Sequence, residues 1–517
     1  MRSWVLLLLL GASGMAGAQA SLEPLNHDFS DVYDPYLNDK NSGVHTAIKP
    51  YLQAELDGLA DSVLHRLQLP YITRRDTAKK KNSGSTIEIS PVFTLLPGYS
   101  IAELKPVVEL GGGLRFSGRC KKKFACEAVW LGGRSSFADY IDSTVERTHT
   151  VPGMGYAYGT GPQFSYQYIS GYLSYSPNTH FNFQAGYGKH FWGDGYRSLF
   201  LSDISNAYPF AKITARVWHL NYTVLYAMHQ DITAGTGLKA DAKNKFGTFH
   251  YLSWNLWKRL NIGFFESIVW QGNDPVRSRS YDINYLDPII FFRPVEFSLG
   301  SADNALLGGS FKVKIARKQQ AYGQVILDEF LLKEILARKG WWANKQGVQL
   351  GFRSFDVFKV KGLDARLEFN YVRPYTYSHG SVQQNYGHFG MPLAHPVGAN
   401  FEEFTGIATY RMQNWLFECK AIYLMYGADT AGLNFGQNIF LSYMSRVHDY
   451  DNYLGQGAKT EHICLGLRAA YLLTKHSNIE AEAGLTLRAE VNPGRNLYTV
   501  LFYAGIKTAL WNTYRDF

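Results

Sequence analysis

Beyond its first twenty residues the chain holds no uninterrupted apolar run approaching the roughly 20 residues that a membrane-crossing helix needs. Crossing a bilayer by helices is therefore excluded. Cysteine is scarce, at four in 517 residues, and Cys120, Cys126, Cys419 and Cys464 lack the paired spacing of a zinc site, so no metal and no other cofactor is implied. None of the four follows the small-residue stretch near the amino terminus, which leaves a lipoprotein anchor no residue to act on. Length alone would permit several domains, yet no Pro/Ser linker, low-complexity stretch or shift of composition interrupts the chain from about Ile87 to the end. Nucleic-acid recognition motifs are missing too, so nucleic acid is not an expected partner.

What is present begins with a leader. Arg2 precedes the apolar run Trp4 to Leu10, and Gly11 to Ala20 offers A-x-A cleavage sites ending at Ala18 and Ala20. Residues 1–20 are read as a signal peptide, and export past the inner membrane follows. The mature chain then alternates. Leu363, Ala365, Leu367, Phe369 and Tyr371 interleave with Asp364, Arg366, Glu368 and Asn370, and Ile463 to Tyr471 and Ile479 to Arg488 follow the same rule. Strand side chains point to opposite faces in turn, so each segment has one apolar and one polar wall. Repeated along an exported chain, this pattern predicts an all-β fold, a transmembrane antiparallel β-barrel in the outer membrane. Aromatic residues make up 15%, with 35 Tyr and 11 Trp. Trp218, Trp257, Trp270, Trp415 and Trp511 stand near expected strand ends, where rings with one polar edge favour the lipid headgroup level. A large secreted β-sandwich is the competing architecture, and a mean hydropathy of −0.20 excludes neither.

Residues 21–85 are expected to form a periplasmic segment and 86–517 the barrel. Leu52, Leu56, Leu59, Val63 and Leu67 recur at helical spacing, predicting one amphipathic helix over Tyr51 to Leu67 that plugs or caps the barrel or binds a partner. Arg74 to Lys81 reads as a solvated connector. From Ile87 onward about 17 segments look like strands; even numbers prevail in single-chain barrels, so about 18 are expected. Ala211 to Met228 changes parity near His219 and is divided into two strands by a tight turn. The last strand is placed at about Tyr498 to Leu510, and the terminal Phe517 resembles an outer-membrane assembly signal although Asn512 to Asp516 breaks the alternation. Leu327 to Arg338 predicts a loop helix closed by Gly340. Gly188 to Pro209 and Tyr285 to Gly309 are expected to be long loops or lumen constrictions.

Two clusters in those loops carry candidate ligand-binding groups. His190, Asp194, Arg197 and Asp203, with Ser198, surround two glycines; Asp287, Arg293, Glu296, Asp303 and Asn304 alternate with apolar residues. The first invites a hydrolase reading, with Ser198 or paired acids activated by His190. The second invites a sugar site, for which Trp341, Trp342 and Lys345, beside Asn344, would supply a stacking platform and a charge. Against both stands a purely structural network of paired charges. Cys120 and Cys126 flank a basic loop and are expected to form a disulfide in an oxidising compartment, whereas Cys419 and Cys464 fall on opposite faces and are not. The excess of Lys and Arg over Asp and Glu, 52 to 43, gives a net charge of +9 and favours anionic neighbours such as lipid phosphates or acidic glycans.

The segments HTAIKPY (His45 to Tyr51), GKHFWGDGYRSLFLSD (Gly188 to Asp203), LDPIIFFRPVEFSLGSADNALLG (Leu286 to Gly308), and YGQVILDEFLLKEI and GWWANKQG within Tyr322 to Gly347 resemble the Wzi and RemB group of outer-membrane proteins, the RemB side more closely. The resemblance implies a barrel of about 18 strands with a periplasmic helical element. It also implies no enzymatic activity. On the Wzi side it implies a lectin-like outer face for capsule assembly that holds surface polysaccharide; on the RemB side, surface adhesion and gliding motility with partner proteins. The chain has only one clear amino-terminal helix, unlike the capsule branch. A hydrolase and a passive porin remain as alternatives.

Overall fold

The computed structural model describes residues 20–56, 59, 85–159, 161–232, 239–272, 281–289, 303–474 and 477–517. The leader, the connector at Arg74 to Lys81, most of the predicted amphipathic helix, and Arg293 and Glu296 lie outside them.

Eighteen antiparallel strands form a closed barrel. They are β1 (Ser85–Ser100), β2 (Lys105–Cys120), β3 (Phe124–Ser136), β4 (Phe164–Tyr175), β5 (Phe181–Gly188), β6 (Tyr208–Val217), β7 (Leu220–Asp231), β8 (Lys243–Trp257) and β9 (Leu260–Gln271). The second half comprises β10 (Asn304–Ala316), β11 (Gln319–Leu327), β12 (Gln346–Ser354), β13 (Leu363–Val372), β14 (Phe401–Met412), β15 (Trp415–Ala428), β16 (Ala458–Leu472), β17 (Ile479–Asn492) and β18 (Arg495–Thr508). Each strand pairs with its neighbour in sequence, and β1 closes on β18 through registers such as Thr94↔Lys507 and Tyr99↔Phe502. Closure satisfies every edge, as a sheet surrounded by lipid requires.

The alternation read from the sequence fixes the two faces. On β13, Asp364, Arg366, Glu368 and Asn370 are buried in the lumen, while Leu367 is 62% exposed on the outside. Outward Leu114, Ile169, Leu350, Phe404 and Ile463 extend this apolar belt around the wall, and the protein is an outer-membrane barrel. The parity break near His219 is the turn between β6 and β7. The short turns 121–123, 176–180, 218–219, 258–259, 317–318, 355–362, 413–414 and 473–478 lie at one end, which is periplasmic. The long connections 137–163, 189–207, 232–242, 272–303, 328–345, 373–400 and 429–457 lie at the other, extracellular end.

Trp218, Trp257 and Trp415 are exposed at the periplasmic end, as a girdle requires. Two other tryptophans correct the expectation. Trp270 shares outward parity with Phe264, but the connection to β10 folds back over it, and Tyr281 and Tyr285 cover its ring at 5.1 and 4.8 Å. Trp511 lies beyond the last strand and stacks on Tyr168 with ring centroids 4.2 Å apart.

Several stretches of chain enter the barrel: connections 137–163 and 373–400 pack against inward wall residues, and three further stretches meet one another in the lumen. Residues 20–56, within the segment expected to plug or cap the barrel or to bind a partner, occupy the periplasmic half of the lumen. They include the single-turn helices α1 (His27–Ser30), capped by Asn26, and α2 (Asp34–Leu37). Of the predicted amphipathic helix, residues 53–56 and 59 are described and helical, and Leu52 and Leu56 are buried, Leu56 packing with Tyr33 and Leu37. This segment is drawn inward by charge. Asp31 bridges Arg353 (3.2 Å) and Arg366 (3.0 Å), Asp34 pairs with Arg353, and Asp28 contacts Arg468 at 2.6 Å. The β5–β6 connection enters from the opposite end and meets it in a ladder pairing Ile48 with Trp192 and Lys49 with Phe191. Residues 509–517 turn back inside after β18, so Phe517 does not end the last strand. Asn512 and Tyr514 donate to Asp203, each at 2.8 Å.

The lumen is also apolar over one sector. Trp192, Leu199, Phe200 and Leu201 pack against inward Leu225, Phe249, Tyr251, Phe265 and Val269. Strands β7 to β9 therefore turn apolar side chains inward there, while Thr248, His250 and Glu266 stand on their outer face beside Phe264 and Ile268.

The expected disulfide is absent. Cys120 and Cys126 are free thiols, because the β2–β3 register sets Cys126 opposite Gly118 and Cys120 opposite Phe124. Diagonal neighbours on antiparallel strands stand about 7–8 Å apart, too far for a bond that needs roughly 3.8 Å between Cβ atoms. Cys419 is outward and Cys464 inward, as their parity required.

Two outcomes test this architecture. Leu367→Arg places a charge on the lipid face and is expected to destabilise the barrel by about 2–4 kcal/mol in urea titrations in lipid vesicles. The second concerns the plug. Burial alone would raise the Asp28 and Asp31 carboxyls, but Arg468, and Arg353 with Arg366, outweigh it and hold both below the ordinary 3.8. Their ionised forms stabilise the plug at neutral pH, and that contribution is lost as pH falls from about 3.8 through the depressed values. Planar-bilayer conductance should stay low between neutral pH and about pH 5, and rise as the solution is acidified below about pH 4.

Candidate ligand-binding surface

The structure divides the first predicted cluster among separate lumenal networks. Asp194 accepts from Thr46 and lies 3.4 Å from Lys312. Burial opposes its charge, yet Lys312 and Lys49 hold its carboxyl below the usual range. Arg197 is buried between Glu403 (3.3 Å) and Asp516 (3.1 Å), while its backbone N–H and that of Tyr196 donate to Glu368 at 2.9 and 2.8 Å. Burial would raise the Asp516 carboxyl, but Arg197 and Lys420 lower it far more. Asp203 belongs to the carboxy-terminal tail, held by Asn512 and Tyr514.

His190 stacks edge-on against Phe210 at 4.5 Å and contacts the Tyr208 hydroxyl at 3.3 Å; burial pushes its ring well below 6.5, so it is neutral. The Ser198 hydroxyl donates to the Trp192 carbonyl at 2.6 Å. A serine activated by a histidine is therefore not assembled here: Ser198, His190 and the acids have different partners. His395 and Glu403 add a buried pair at 3.0 Å, beside Arg197. All these groups pin the inserted loop and the tail to the wall.

The second cluster does not fold into the barrel mouth as a unit. Tyr226 and Thr248, outward on β7 and β8, donate to the Leu286 and Tyr285 carbonyls at 2.9 and 3.0 Å. The segment 281–289 thus lies over the outer side of the wall, because Tyr281 and Tyr285 find there the apolar surface of Trp270 and Ile268. Asp287 is exposed. Asp303 and Asn304 sit buried at the rim, where Tyr285 and Gln384 donate to Asp303 at 2.8 and 2.9 Å and Asn304 donates to the Gln384 carbonyl at 2.8 Å.

The third set comes closest to an open surface. Lys345 is fully buried, ion-paired to Asp328 (3.0 Å) and Glu329 (3.1 Å), and donates to the Ser378 carbonyl. Burial disfavours its charge, yet the two acids raise its ammonium above the ordinary value. It is a structural cation. Trp342 is half-buried, with Tyr443 at 4.7 Å and the Arg446 guanidinium 4.2 Å from its ring centre. Arg446 is in turn held by Asp449 at 2.6 Å. Backbone bonds from Trp342 to Asp449, Asp451 to Lys339 and Asn452 to Gly340, each 2.9 Å, tie connection 328–345 to connection 429–457.

Gly340, at φ +62°, approaches so closely that a side-chain carbon there would lie 2.7 Å from the Asn452 nitrogen. On the surface thus formed Trp341 is half-exposed and Tyr450 and Tyr453 are exposed. Sequence reasoning found the two tryptophans and missed Tyr443, Arg446, Tyr450 and Tyr453. Connection 429–457 lies far from Trp342 in sequence and carries no motif that foretells the contact.

No family model and no curated relative matches the chain. Its fold is similar to that of solved outer-membrane barrels. Wzi of Escherichia coli, involved in group 1 capsule assembly and described as a carbohydrate-binding β-barrel, matches at 14% identity with a TM-score of 0.59, over 95% of this chain and all of that one (100%). OccAB2 of Acinetobacter baumannii matches at 8% identity and 0.44, over 82% and 97% of the two chains. OprD of Pseudomonas aeruginosa matches at 10% identity and 0.40, over 81% and 95%. The resemblance to the Wzi and RemB group is thus supported by the fold alone, and on the Wzi side.

Proposed function

We propose that this protein is a non-catalytic outer-membrane barrel that holds surface polysaccharide at its extracellular rim, in capsule assembly or attachment. The observation that carries this reading is the pairing of a filled lumen with a rim that presents Trp341, Tyr450 and Tyr453. Aromatic faces stack on pyranose rings and the surrounding polar groups match sugar hydroxyls. The rim is firm enough for this, since the connections that carry the rings are joined through backbone hydrogen bonds. A barrel of the same overall fold is a carbohydrate-binding protein of capsule assembly, which agrees with the proposal. Export by the leader at residues 1–20 brings the chain to this membrane. A strain lacking the gene, scored for capsule retention and for cell spreading, tests this role together with the adhesion and gliding role implied by the RemB resemblance.

Trp341→Ala and Tyr453→Ala should each weaken binding of isolated surface polysaccharide by roughly two- to tenfold, the cost of about 0.5–1.5 kcal/mol for losing one stacked ring. Phe358→Ala, at an exposed ring on the periplasmic turn 355–362, should leave binding unchanged. The check is an immobilised-glycan binding titration, and loss of binding in neither rim variant sinks the lectin reading. Glycan and lipid substrates should emerge uncleaved.

A further inference from the structure

Connection 328–345 carries a second feature that sugar binding leaves unused. After β11 the chain reads Phe330, Leu331, Leu332, Lys333, Glu334, Ile335 and Leu336, and forms helix α3 (Leu332–Ala337). None of its residues is buried. Phe330, Leu331 and Leu332 are exposed and Leu336 is 72% exposed. Such an apolar row on a protein surface marks a contact. The helix is held in place at both ends. Leu331 N–H donates to the Asn344 side chain at 3.3 Å and Lys345 N–H to the Glu329 carbonyl at 2.8 Å, while residues 339 and 340 are tied to 451 and 452.

What covers the row is indicated by its neighbours. Leu327, at the top of β11, pairs with Leu307 and Gln346, so the helix begins just above the rim of the wall. Immediately below, Val325 and Leu350 belong to the lipid-facing belt. The apolar row thus follows, within three residues, on a strand whose outer face is lipid-facing. Interleaved and following are Lys333, Arg338 and Lys339, all exposed and, among the described residues, without an ion pair. Apolar side chains flanked by cations at the upper edge of a lipid belt match a layer of acyl chains topped by phosphates.

We propose that α3 is an interfacial anchor seated in the outer leaflet, with Leu332 and Leu336 among acyl chains and Lys333, Arg338 and Lys339 on phosphate-bearing lipid headgroups. This contact is independent of the glycan reading, and it would set the height at which the aromatic rim stands above the membrane.

The test uses the full-length protein in vesicles of phosphatidylcholine with and without phosphatidylglycerol. A fluorophore is attached at Leu336→Cys, with Asp449→Cys as the solvent-exposed reference, after the four native cysteines are changed to serine. Aqueous iodide should quench the Leu336 probe at least about threefold more slowly than the Asp449 probe. Adding phosphatidylglycerol should widen that gap, and Lys333→Gln, Arg338→Gln and Lys339→Gln together should abolish the widening. Equal quenching at the two positions overturns the anchor, and a phosphatidylglycerol effect that survives the triple substitution overturns the phosphate contact. Amide hydrogen exchange over 331–338 in the unaltered protein gives the same answer without labelling. Slower exchange with phosphatidylglycerol supports the proposal, whereas protection that depends on protein concentration assigns the row to a second copy and overturns it.

Discussion

A charged side chain on the inner wall of a closed barrel escapes the cost of desolvation in one of two ways: it meets water in an open channel, or it meets an opposite charge brought in from elsewhere. This protein takes the second course. Arg353, Arg366 and Arg468 point inward from the wall, and Asp28, Asp31 and Asp34 of the amino-terminal segment come in to meet them. Lys420 and Glu403 point inward on neighbouring strands, and Asp516 and Arg197 do the same for them. The pairing is reciprocal. Without the wall, the inserted segments would carry unpaired acids; without the segments Arg353 and Arg366 would lose their carboxylates, while Arg468 would keep Glu480 and Glu482 of the adjacent strand. Removing either member of such a pair leaves the other buried and uncompensated.

Charge is only part of what fills the lumen. Strands β7 to β9 present Leu225, Phe249, Tyr251, Phe265 and Val269 inward, where a channel would present polar groups, and these receive Trp192, Leu199, Phe200 and Leu201. The inserted loop is thereby held from two sides, by a hydrophobic contact along one sector and by ion pairs and hydrogen bonds from Glu368, Glu403 and Asp516. A loop anchored in both ways is a structural element of the barrel. It also explains the density of His, Asp, Arg and Ser at residues 190–203: those groups serve attachment, each to a different partner.

With the interior closed, what the molecule can do toward the outside is concentrated in its extracellular connections. There the two unused resources are aromatic rings near Trp341 and an apolar, basic helix just before it. The helix and Trp341 belong to connection 328–345, Tyr450 and Tyr453 to connection 429–457, and the backbone bonds between 339–342 and 449–452 hold the two together. A sugar-facing rim and a lipid-facing anchor on the same short stretch would couple the position of the rings to the surface of the membrane.

The barrel itself was legible because its rule is local. A strand in a lipid-facing wall must alternate, so the parity of Asp364 to Asn370 against Leu363 to Tyr371 already states which side faces lipid, and the same parity separates Cys419 from Cys464. Repeated about 18 times, the rule sets fold and membrane. The parity change at His219 even located a turn. Local pattern failed where a partner far away in sequence decides. Trp270 has the parity of an anchor but is covered by Tyr281 and Tyr285, and Trp511 follows a strand but turns inward. Cys120 and Cys126 are close in sequence, yet a register that pairs Cys126 with Gly118 holds them apart. Arg197 and Asp194 were visible as charges, but their partners lie on β10, β14 and the last residues of the chain. The sequence alone thus determined the alternating wall, because each residue's side follows from its neighbours. Only the tertiary structure decided that the lumen is filled and which rings reach the surface, because pairing a buried charge or covering an apolar face depends on segments that meet only once the barrel has closed.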